Sequence, residues 1–173
     1  SGVIHVGANS GQERDEYNLY SLDVIWIEPI PKIFNKLKKN IKRYSKQKAY
    51  KYLLTNIDNQ DINFKIANNA GQSSSILELN QHKDIWPNVE YTSSIKLKSS
   101  TLKNVIKHEK IDIKKYQALI MDTQGSELLV LKGGSSLLKN FRYIKTEAAD
   151  FESYKECCLI KDLSKFLNKF GFK

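Results

Sequence analysis

The chain has 173 residues, a mass of 19.9 kDa and a formal net charge of +9. This length suits one domain, because a single hydrophobic core usually forms from about 100 to 200 residues. Forty per cent hydrophobic residues, 18 of the 173 being aromatic, exclude a wholly disordered chain. No apolar run reaches the roughly 18 residues that a membrane-spanning helix needs, so no such helix is predicted.

Cysteine and arginine are both scarce. Cys157 and Cys158 are adjacent, which matches neither a disulfide scaffold nor the spacing of a zinc site. We therefore expect a reduced, cytoplasmic setting and assign no metal ligands. Only three of the 28 basic residues are arginine, the residue that best reads phosphates and guanine edges. Lysine-rich solvated faces are favoured over a nucleic-acid footprint, although the charge would still favour an anionic substrate or surface.

Short apolar runs alternate with helical patterns along the chain. In chain order, the pattern predicts strands at 3–6 and 24–27, a helix at 31–42, strands at 50–55 and 62–66, and a polar surface excursion at 68–93. A helix then follows Ser100 or Thr101, before a strand at 118–121, a helix at 126–131, a strand at 143–146 and a last helix at 159–170.

Strands about 20 or more residues apart, with helices between them, indicate parallel β-α-β units. The sequence therefore predicts one α/β domain over residues 1–173, with a doubly wound, mostly parallel sheet. Residues 167–173 read as a helix end followed by the first residue of a further strand. For that reason we expect the domain to be truncated at its C-terminus.

In such a sheet, ligands bind beyond the carboxyl ends of the strands. The first strand is followed by Gly7-Ala8-Asn9-Ser10-Gly11-Gln12, whose glycines permit a tight turn and a close backbone approach. The dinucleotide fingerprint needs Gly-x-Gly-x-x-Gly, and Asn9 stands where its middle glycine would be. The loop fits a nucleoside ligand smaller than NAD, or an ordinary strand-to-helix turn.

Glu28 ends the second predicted strand, 17 residues after Gly11. An acid at about this interval takes the ribose hydroxyls in nucleotide-binding sheets, because a carboxylate can accept two hydrogen bonds from a cis-diol. The alternative is a solvated acid at a strand end.

Asp122 ends the strand at 118–121 and is followed by Gln124 and Gly125 at a helix start. Asp122 can cap that helix or face a pocket. Glu147, at the end of the next strand, would then be its neighbour across the pocket. Two such carboxylates could raise one another's pKa and supply a general base, or they could bind a cation. The sequence does not choose between these roles.

Three segments, in this order, resemble the FkbM family of S-adenosylmethionine-dependent methyltransferases. They are Val3-Ile4-His5-Val6-Gly7-Ala8-Asn9-Ser10-Gly11-Gln12, Trp26-Ile27-Glu28-Pro29-Ile30-Pro31 and Met121-Asp122-Thr123-Gln124-Gly125-Ser126-Glu127-Leu128-Leu129-Val130-Leu131-Lys132-Gly133. The strand ending in Glu147 and the closing Phe170-Gly171-Phe172 are similar to that family's late segments. The resemblance implies a Rossmann-like class I methyltransferase fold, here lacking its final hairpin. It also implies O-methylation of a hydroxyl on a sugar or other small molecule.

The resemblance also assigns site residues. It implies that the first loop binds the methionine end of S-adenosylmethionine through Gly7, Ala8, Asn9, Gly11 and Gln12. It gives Glu28 to the ribose, the segment 55–58 with Asn56 to the adenine, and Asp122 and Gln124 to the methyl donor. The segment 71–75 would lie near the pocket mouth. Asp122 is the first candidate for the catalytic base and Glu147 the second.

Other side chains and functions have simpler expected roles. We expect His5 to be a hydrogen-bonded core residue, His82 to be an exposed loop residue, and Trp86 and Tyr91 to fix the polar excursion to the body. A nucleic-acid methyltransferase is disfavoured, because the chain has no Asn-Pro-Pro-Tyr or Asp-Pro-Pro-Tyr run. A non-catalytic nucleotide-binding module of the same fold is the other alternative. The expected partner is a small-molecule or carbohydrate hydroxyl acceptor, and a homo-oligomer is left open.

Overall fold

The computed structural model describes every residue from Ser1 to Lys173. In chain order the elements are β1 (Gly2–Val6), α1 (Arg14–Leu19), β2 (Asp23–Ile27), α2 (Pro31–Ile41), β3 (Gln47–Tyr50), β4 (Leu53–Leu54), β5 (Asp61–Ala67), α3 (His82–Ile85), β6 (Tyr91–Ser100), α4 (Leu102–His108), β7 (Ala118–Met121), α5 (Glu127–Gly133), β8 (Tyr143–Thr146) and α6 (Ile160–Asn168). None of these helices is both long and apolar enough to cross a membrane.

The central sheet has five parallel strands in the order β3-β2-β1-β7-β8. The chain winds outward from β1 to β3, returns to β7 beside β1, and continues outward to β8. Strand order therefore reverses between β1 and β7, which is the position where open parallel sheets bind ligands. This confirms the predicted doubly wound α/β fold.

Neighbouring residues of a strand point to opposite sides of the central sheet. Both sides carry apolar side chains, so helices cover both faces. On one face, α1 and α2 bury a core that includes Tyr17, Val24, Trp26, Leu37 and Ile41. On the other face, α4, α5 and α6 bury a larger core that includes Ile4, Ile25, Leu102, Leu119, Val130, Leu131 and Leu163.

The prediction of one strand at 50–55 is wrong. The central sheet takes Gln47–Tyr50, the chain then leaves the sheet at the exposed Lys51, and Leu53–Leu54 joins a second sheet of order β4-β6-β5. Leu54 pairs there with Ser100, and the next amide, that of Thr55, donates to the Ser100 carbonyl (2.9 Å). The apolar pair at 53–54 is thus buried by a different sheet from the one that holds Tyr50.

The prediction of a surface excursion at 68–93 is also wrong in part. The segment contains α3 and the first residues of β6, which pairs with β5 in an antiparallel ladder. Ser73, Ser74, Ser75 and His82 are buried although the segment is polar. Their hydroxyl groups and the Nε2 atom of His82 are paired within the protein, whereas the buried Nδ1 atom of His82 has no hydrogen-bond partner.

Three helix ends follow local sequence rules. Pro31 opens α2, where its fixed φ suits the first turn. Thr101 caps α4 by accepting a hydrogen bond from the Asn104 amide (3.1 Å). Gly133 ends α5, and a Cβ atom there would lie 2.2 Å from the Thr55 carbonyl oxygen. Glycine is therefore required at position 133 by close packing as well as by helix termination.

Gly7 and Gly171 form a matched pair for testing the closest backbone contact of the fold. Both have a positive φ, +77° and +86°, but a Cβ atom on Gly7 would lie 1.8 Å from the Asp122 carbonyl oxygen, whereas one on Gly171 meets nothing within 4 Å. We expect Gly7→Ala to lower the free energy of unfolding by about 3 kcal/mol or more. Gly171→Ala should cost about 1 kcal/mol, from backbone strain alone. Equal losses in urea denaturation would contradict this packing.

Candidate functional site

A cavity of about 940 Å³ lies at the carboxyl ends of the central strands. Its walls include residues that directly follow β1, β2, β7 and β8, the four strands around the reversal of strand order. Eight of the ten residues predicted for the site line this cavity: Gly7, Ala8, Asn9, Gln12, Glu28, Asp122, Gln124 and Glu147. This volume is within the range of about 300–1,000 Å³ that is usual for small-molecule sites.

Gly11 and Asn56 do not line the cavity. Gly11 faces α2, where an added Cβ atom would lie 2.7 Å from Leu37, so it supports the loop by packing. Asn56 is exposed and its Cα atom lies against Gly133 at the end of α5. The contact between Asn56 and the adenine stays a prediction that the lining of this cavity does not support. The cavity is bordered instead by the residues just before Asn56, namely Tyr52, Leu53 and Leu54. After β4 the chain leads away from the cavity.

The loop after β1 is held by its own backbone. The Gly7 and Ala8 amides both donate to the Ile27 carbonyl, at 3.0 and 3.1 Å. Asn9 has a φ of +43°, a left-handed conformation that asparagine tolerates better than most residues. Its side-chain oxygen accepts the Ser10 amide at 2.7 Å. The loop is therefore fixed by hydrogen bonds within the protein, and Gly7, Ala8 and Asn9 line the cavity.

The Glu28 carboxylate connects two loops beneath the cavity. One oxygen accepts the Asn9 amide and the other accepts the Ile30 amide, both at 2.9 Å. The residue is only 4% exposed, and this burial raises the pKa of its carboxyl group to about 7, although the two amides oppose the shift. Glu28 is thus a buried acid with structural partners on each oxygen, and the alternative of a solvated strand-end acid is wrong.

Asp122 begins a chain of hydrogen bonds across the cavity. The Gln124 side-chain amide donates to the Asp122 carboxylate, and the Tyr154 hydroxyl donates to the side-chain oxygen of Gln124. Gln124 has a φ of +55°, and its carbonyl oxygen accepts a hydrogen bond from the Ser75 hydroxyl (2.7 Å). Gln124 is therefore fixed from both sides. It holds one oxygen of Asp122 and leaves the other without a donor from the protein.

Burial and nearby carboxylates raise the proton affinity of Asp122. Burial, together with the charges of Glu147 and Glu127, raises the pKa of Asp122 to about 6, against the effect of the Gln124 hydrogen bond. This agrees with the predicted proximity of Asp122 and Glu147, both of which line the cavity. An acid with such a pKa can accept a proton near neutral pH.

Asp122 does not cap α5. Ser126 occupies the N-cap position, and Glu127 supports the preceding turn by accepting the Thr123 and Gly125 amides at 2.9 and 3.2 Å. Glu127 is buried, and burial raises the pKa of its carboxyl group. Sequence reasoning gave this residue no role. Its signal was an acidic residue in the first turn of a predicted helix, where free backbone amides attract a carboxylate.

The segments 78–82 and 152–155 form one wall of the cavity. The Asn80 and His82 amides donate to the Ser153 carbonyl, at 2.9 and 3.0 Å, and the Lys155 amide donates to the Glu78 carbonyl (2.9 Å). These bonds bring Tyr154 to Gln124. No pattern in the polar stretch around Tyr154 signalled this role, because the contact depends on pairing between distant segments.

The expectation of an exposed His82 is wrong. Its ring is buried between Trp86 and Tyr154, with centroid separations of 4.7 and 5.3 Å, and this burial lowers the pKa of the imidazole. Its Nε2 atom lies 3.2 Å from the Ser73 hydroxyl. Trp86 is 52% exposed and Tyr154 is buried, so the three rings form a row from the cavity mouth toward Gln124.

Two further observations concern histidine and metal ligands. His5 is a core residue as predicted: it is stacked on Trp26 with a centroid separation of 5.0 Å and lies 3.0 Å from the Tyr17 hydroxyl. No group of three or more histidine, cysteine, aspartate or glutamate side chains in the structure is arranged to hold a metal ion.

The cavity and the whole chain differ in the sign of their charge. The chain carries 28 basic and 19 acidic residues, yet none of the 38 residues that line the cavity is lysine or arginine. Five of them are acidic: Glu13, Glu28, Asp122, Glu127 and Glu147. The anionic substrate that the net charge would favour therefore finds no basic side chain here.

Comparison with known proteins gives one match. Residues 5–173 match the family described as the Methyltransferase FkbM domain. No curated protein and no solved structure gives a significant match to the chain. The match covers all but the first four residues, and the doubly wound parallel sheet agrees with it. The chain therefore belongs to the FkbM methyltransferase family and has the Rossmann-like fold of class I methyltransferases.

Proposed function

We propose that this methyltransferase transfers a methyl group from S-adenosylmethionine to a hydroxyl group of a sugar or another uncharged small molecule. The observation that carries the proposal is one cavity in which Glu28, the loop after β1 and Asp122 meet at the reversal of strand order. Each of these three elements has a separate chemical use there.

The buried carboxylate of Glu28 suits a ribose. A carboxylate offers about four acceptor positions, and the Asn9 and Ile30 amides take one on each oxygen. The remaining positions can accept hydrogen bonds from the two hydroxyls of a cis-diol. Because the amides fix both oxygens, the carboxylate is oriented before a ligand arrives, which reduces the entropy lost on binding.

The loop after β1 suits the amino-acid end of the same ligand. Gly7 lies against the Asp122 carbonyl with no space for a Cβ atom, so the two segments meet closely, and both line the cavity at this point. The five acidic residues of the cavity favour a cationic group over a neutral one. When bound, S-adenosylmethionine supplies a methyl group on a cationic sulfur, where the methyl carbon is already electrophilic.

In this proposal Asp122 acts as the general base. As the acceptor oxygen bonds to the methyl carbon and the carbon–sulfur bond breaks, Asp122 takes the proton of the acceptor hydroxyl. Gln124 holds the other carboxylate oxygen and is itself held by Tyr154 and Ser75, so that the base keeps one orientation. Glu147 raises the proton affinity of Asp122 and is the alternative base.

The cavity wall supports an uncharged ring compound as the acceptor. An anionic acceptor would meet five acidic residues and no basic one. Nucleic acid carries a phosphate at every nucleotide, so the same charges disfavour it as a substrate at this cavity. Trp86 is 52% exposed and lines the cavity, and the buried rings of His82 and Tyr154 support it from behind. An exposed aromatic face of this kind packs well against the apolar face of a sugar ring.

The first prediction from this proposed function concerns Glu28 and pH. Binding of S-adenosylhomocysteine should tighten about tenfold between about pH 6 and pH 8, because the diol donates to the ionised carboxylate and the pKa of Glu28 is about 7. Calorimetric titration measures this change. In Glu28→Gln, binding should be weaker at high pH and should have lost this dependence. If binding to Glu28→Gln still tightened with rising pH, the pH dependence would belong to another group.

The second prediction concerns Asp122. Asp122→Asn should keep the affinity for S-adenosylhomocysteine within about threefold but slow methyl transfer by about 10²–10⁴-fold. In the unmodified protein the rate should rise with pH through about 6, the pKa of Asp122, because only the ionised carboxylate accepts a proton. Glu147→Gln is the matched control. It should lose less rate, and the midpoint of its pH–rate profile should lie at a lower pH. Full turnover in Asp122→Asn would remove Asp122 as the base.

The third prediction concerns the acceptor. Isotopically labelled methyl transfer to a panel of sugars should be at least about tenfold faster for each uncharged sugar than for its phosphorylated counterpart. Glu147→Gln should narrow this ratio, because it removes one of the repelling charges. Equal or faster transfer to the phosphorylated sugars would contradict the argument from cavity charge.

A further inference from the structure

The net charge of the chain is concentrated in one segment. Residues 29–57 contain nine basic residues and no acidic one, and the rest of the chain holds nineteen of each. The nine are Lys32, Lys36, Lys38, Lys39, Lys42, Arg43, Lys46, Lys48 and Lys51. They belong to α2, the turn after it, β3 and the residue that follows β3. These nine residues, here called the basic face, account for the whole formal charge of +9.

Every residue of the basic face is exposed. The buried side of α2, with Leu37 and Ile41, packs on the sheet, so its lysines point to solvent. β3 is the edge strand of the central sheet, and a shallow groove of about 410 Å³ between α2 and β3 is lined partly by Lys38, Lys42 and Lys48. None of the nine lines the acidic cavity.

Few carboxylates neutralise this face. Of the nine residues, Arg43 alone forms a salt bridge, with Asp15 (2.8 Å), and Asp15 also accepts a hydrogen bond from the Tyr44 hydroxyl. Glu16 on α1 and Asp23 at the start of β2 are the other acidic residues on the elements that pack beside it. Eight of the nine cations therefore have no carboxylate within salt-bridge distance.

Two large apolar side chains stand in solvent beside the basic face. Leu19 is 76% exposed and Tyr20 is 67% exposed, at the end of α1. Lys46 reaches this turn, because its ammonium group donates to the Ser21 carbonyl (3.1 Å). The core of the protein does not use these two side chains. Exposed leucine and tyrosine bordered by lysine are typical of surfaces that insert shallowly into a lipid headgroup layer.

We propose that the basic face and the Leu19–Tyr20 turn together dock the protein on an anionic lipid surface. The lysines supply long-range attraction to the negative headgroups, and Leu19 and Tyr20 add apolar contact after arrival. Each lysine near such a surface strengthens binding severalfold, so several act together without any one being essential.

The composition of the face favours lipid over nucleic acid. Only one of its nine cations is arginine, the residue that binds phosphate in two-pronged geometry. Within the basic face Tyr44 is buried and Phe34 lies beneath the Lys38 ammonium group at 5.8 Å, so Tyr20 in the adjacent turn is the exposed ring of this surface, too few for a row of stacked bases. A nucleic acid would also make no use of Leu19. A fluid anionic surface requires only charge and a small apolar anchor.

Vesicle co-sedimentation with matched charge variants tests the proposal on the full chain. The protein should bind vesicles of phosphatidylcholine mixed with phosphatidylglycerol and not pure phosphatidylcholine. Converting Lys38, Lys39, Lys42 and Lys48 to glutamine should raise the lipid concentration for half-binding by about a hundredfold. The control converts Lys103, Lys107, Lys114 and Lys115, which are exposed on the other side of the sheet, and should change it less than about threefold. Circular dichroism checks that both variants stay folded.

A second variant separates lipid from nucleic acid. Leu19→Ser keeps every charge and every aromatic ring, and it should weaken vesicle binding about fivefold while leaving any binding to single-stranded RNA unchanged. Three results would overturn the proposal: equal binding to neutral vesicles, equal losses in the two lysine variants, or tighter binding to RNA than to anionic vesicles at the same phosphate concentration with no effect of the serine variant. The last result would identify nucleic acid as the partner.

Discussion

The structure depends on the contact between the loop after β1 and the end of β7. These two strands are neighbours, and the Gly7 backbone touches the Asp122 carbonyl where any side chain at Gly7 would collide with it. This contact brings the two halves of the doubly wound sheet together at its carboxyl edge. It places Asn9, and through it the Glu28 carboxylate, in one cavity with the Asp122 carboxylate.

Burying several carboxylates in one place has a free-energy cost that the local backbone offsets. Glu28 and Glu127 each accept two backbone amides, and Asp122 accepts the Gln124 side chain. A hydrogen bond to a charged group contributes about 1.5–3 kcal/mol, which compensates much of the loss of hydration. The pKa of Glu28 and of Asp122 still rises to about 7 and 6, so compensation is incomplete. Because the carboxylates remain incompletely compensated, a cation or a hydroxyl donor would bind favourably beside them.

Sequence reasoning found the parts of the site that follow directly from strand ends. Gly7, Glu28 and Asp122 come immediately after apolar runs, and parallel strands must bring such positions to one edge. The same reasoning could not place Tyr154 or His82, because both reach the cavity through hydrogen bonds between segments about 70 residues apart. It read residues 50–55 as one strand, whereas they divide between two sheets, and Asn56, which the resemblance gave to the adenine, lies outside the cavity lining. Apolar periodicity reports that a residue is buried, and it does not report which sheet buries it.

Net charge has the same limit as a guide to function. A value of +9 describes an acidic cavity and a basic face as one average, and the two have opposite preferences for ligands. The position of charges along the chain carries more information, since residues 29–57 hold nine cations and no anion. Helix α2, the turn after it, β3 and the residue that follows β3 turn all of these cations outward, while the strand ends turn the carboxylates inward. The fold thus separates the two charges, so the proposed uncharged acceptor and the proposed anionic surface would not compete for the same residues.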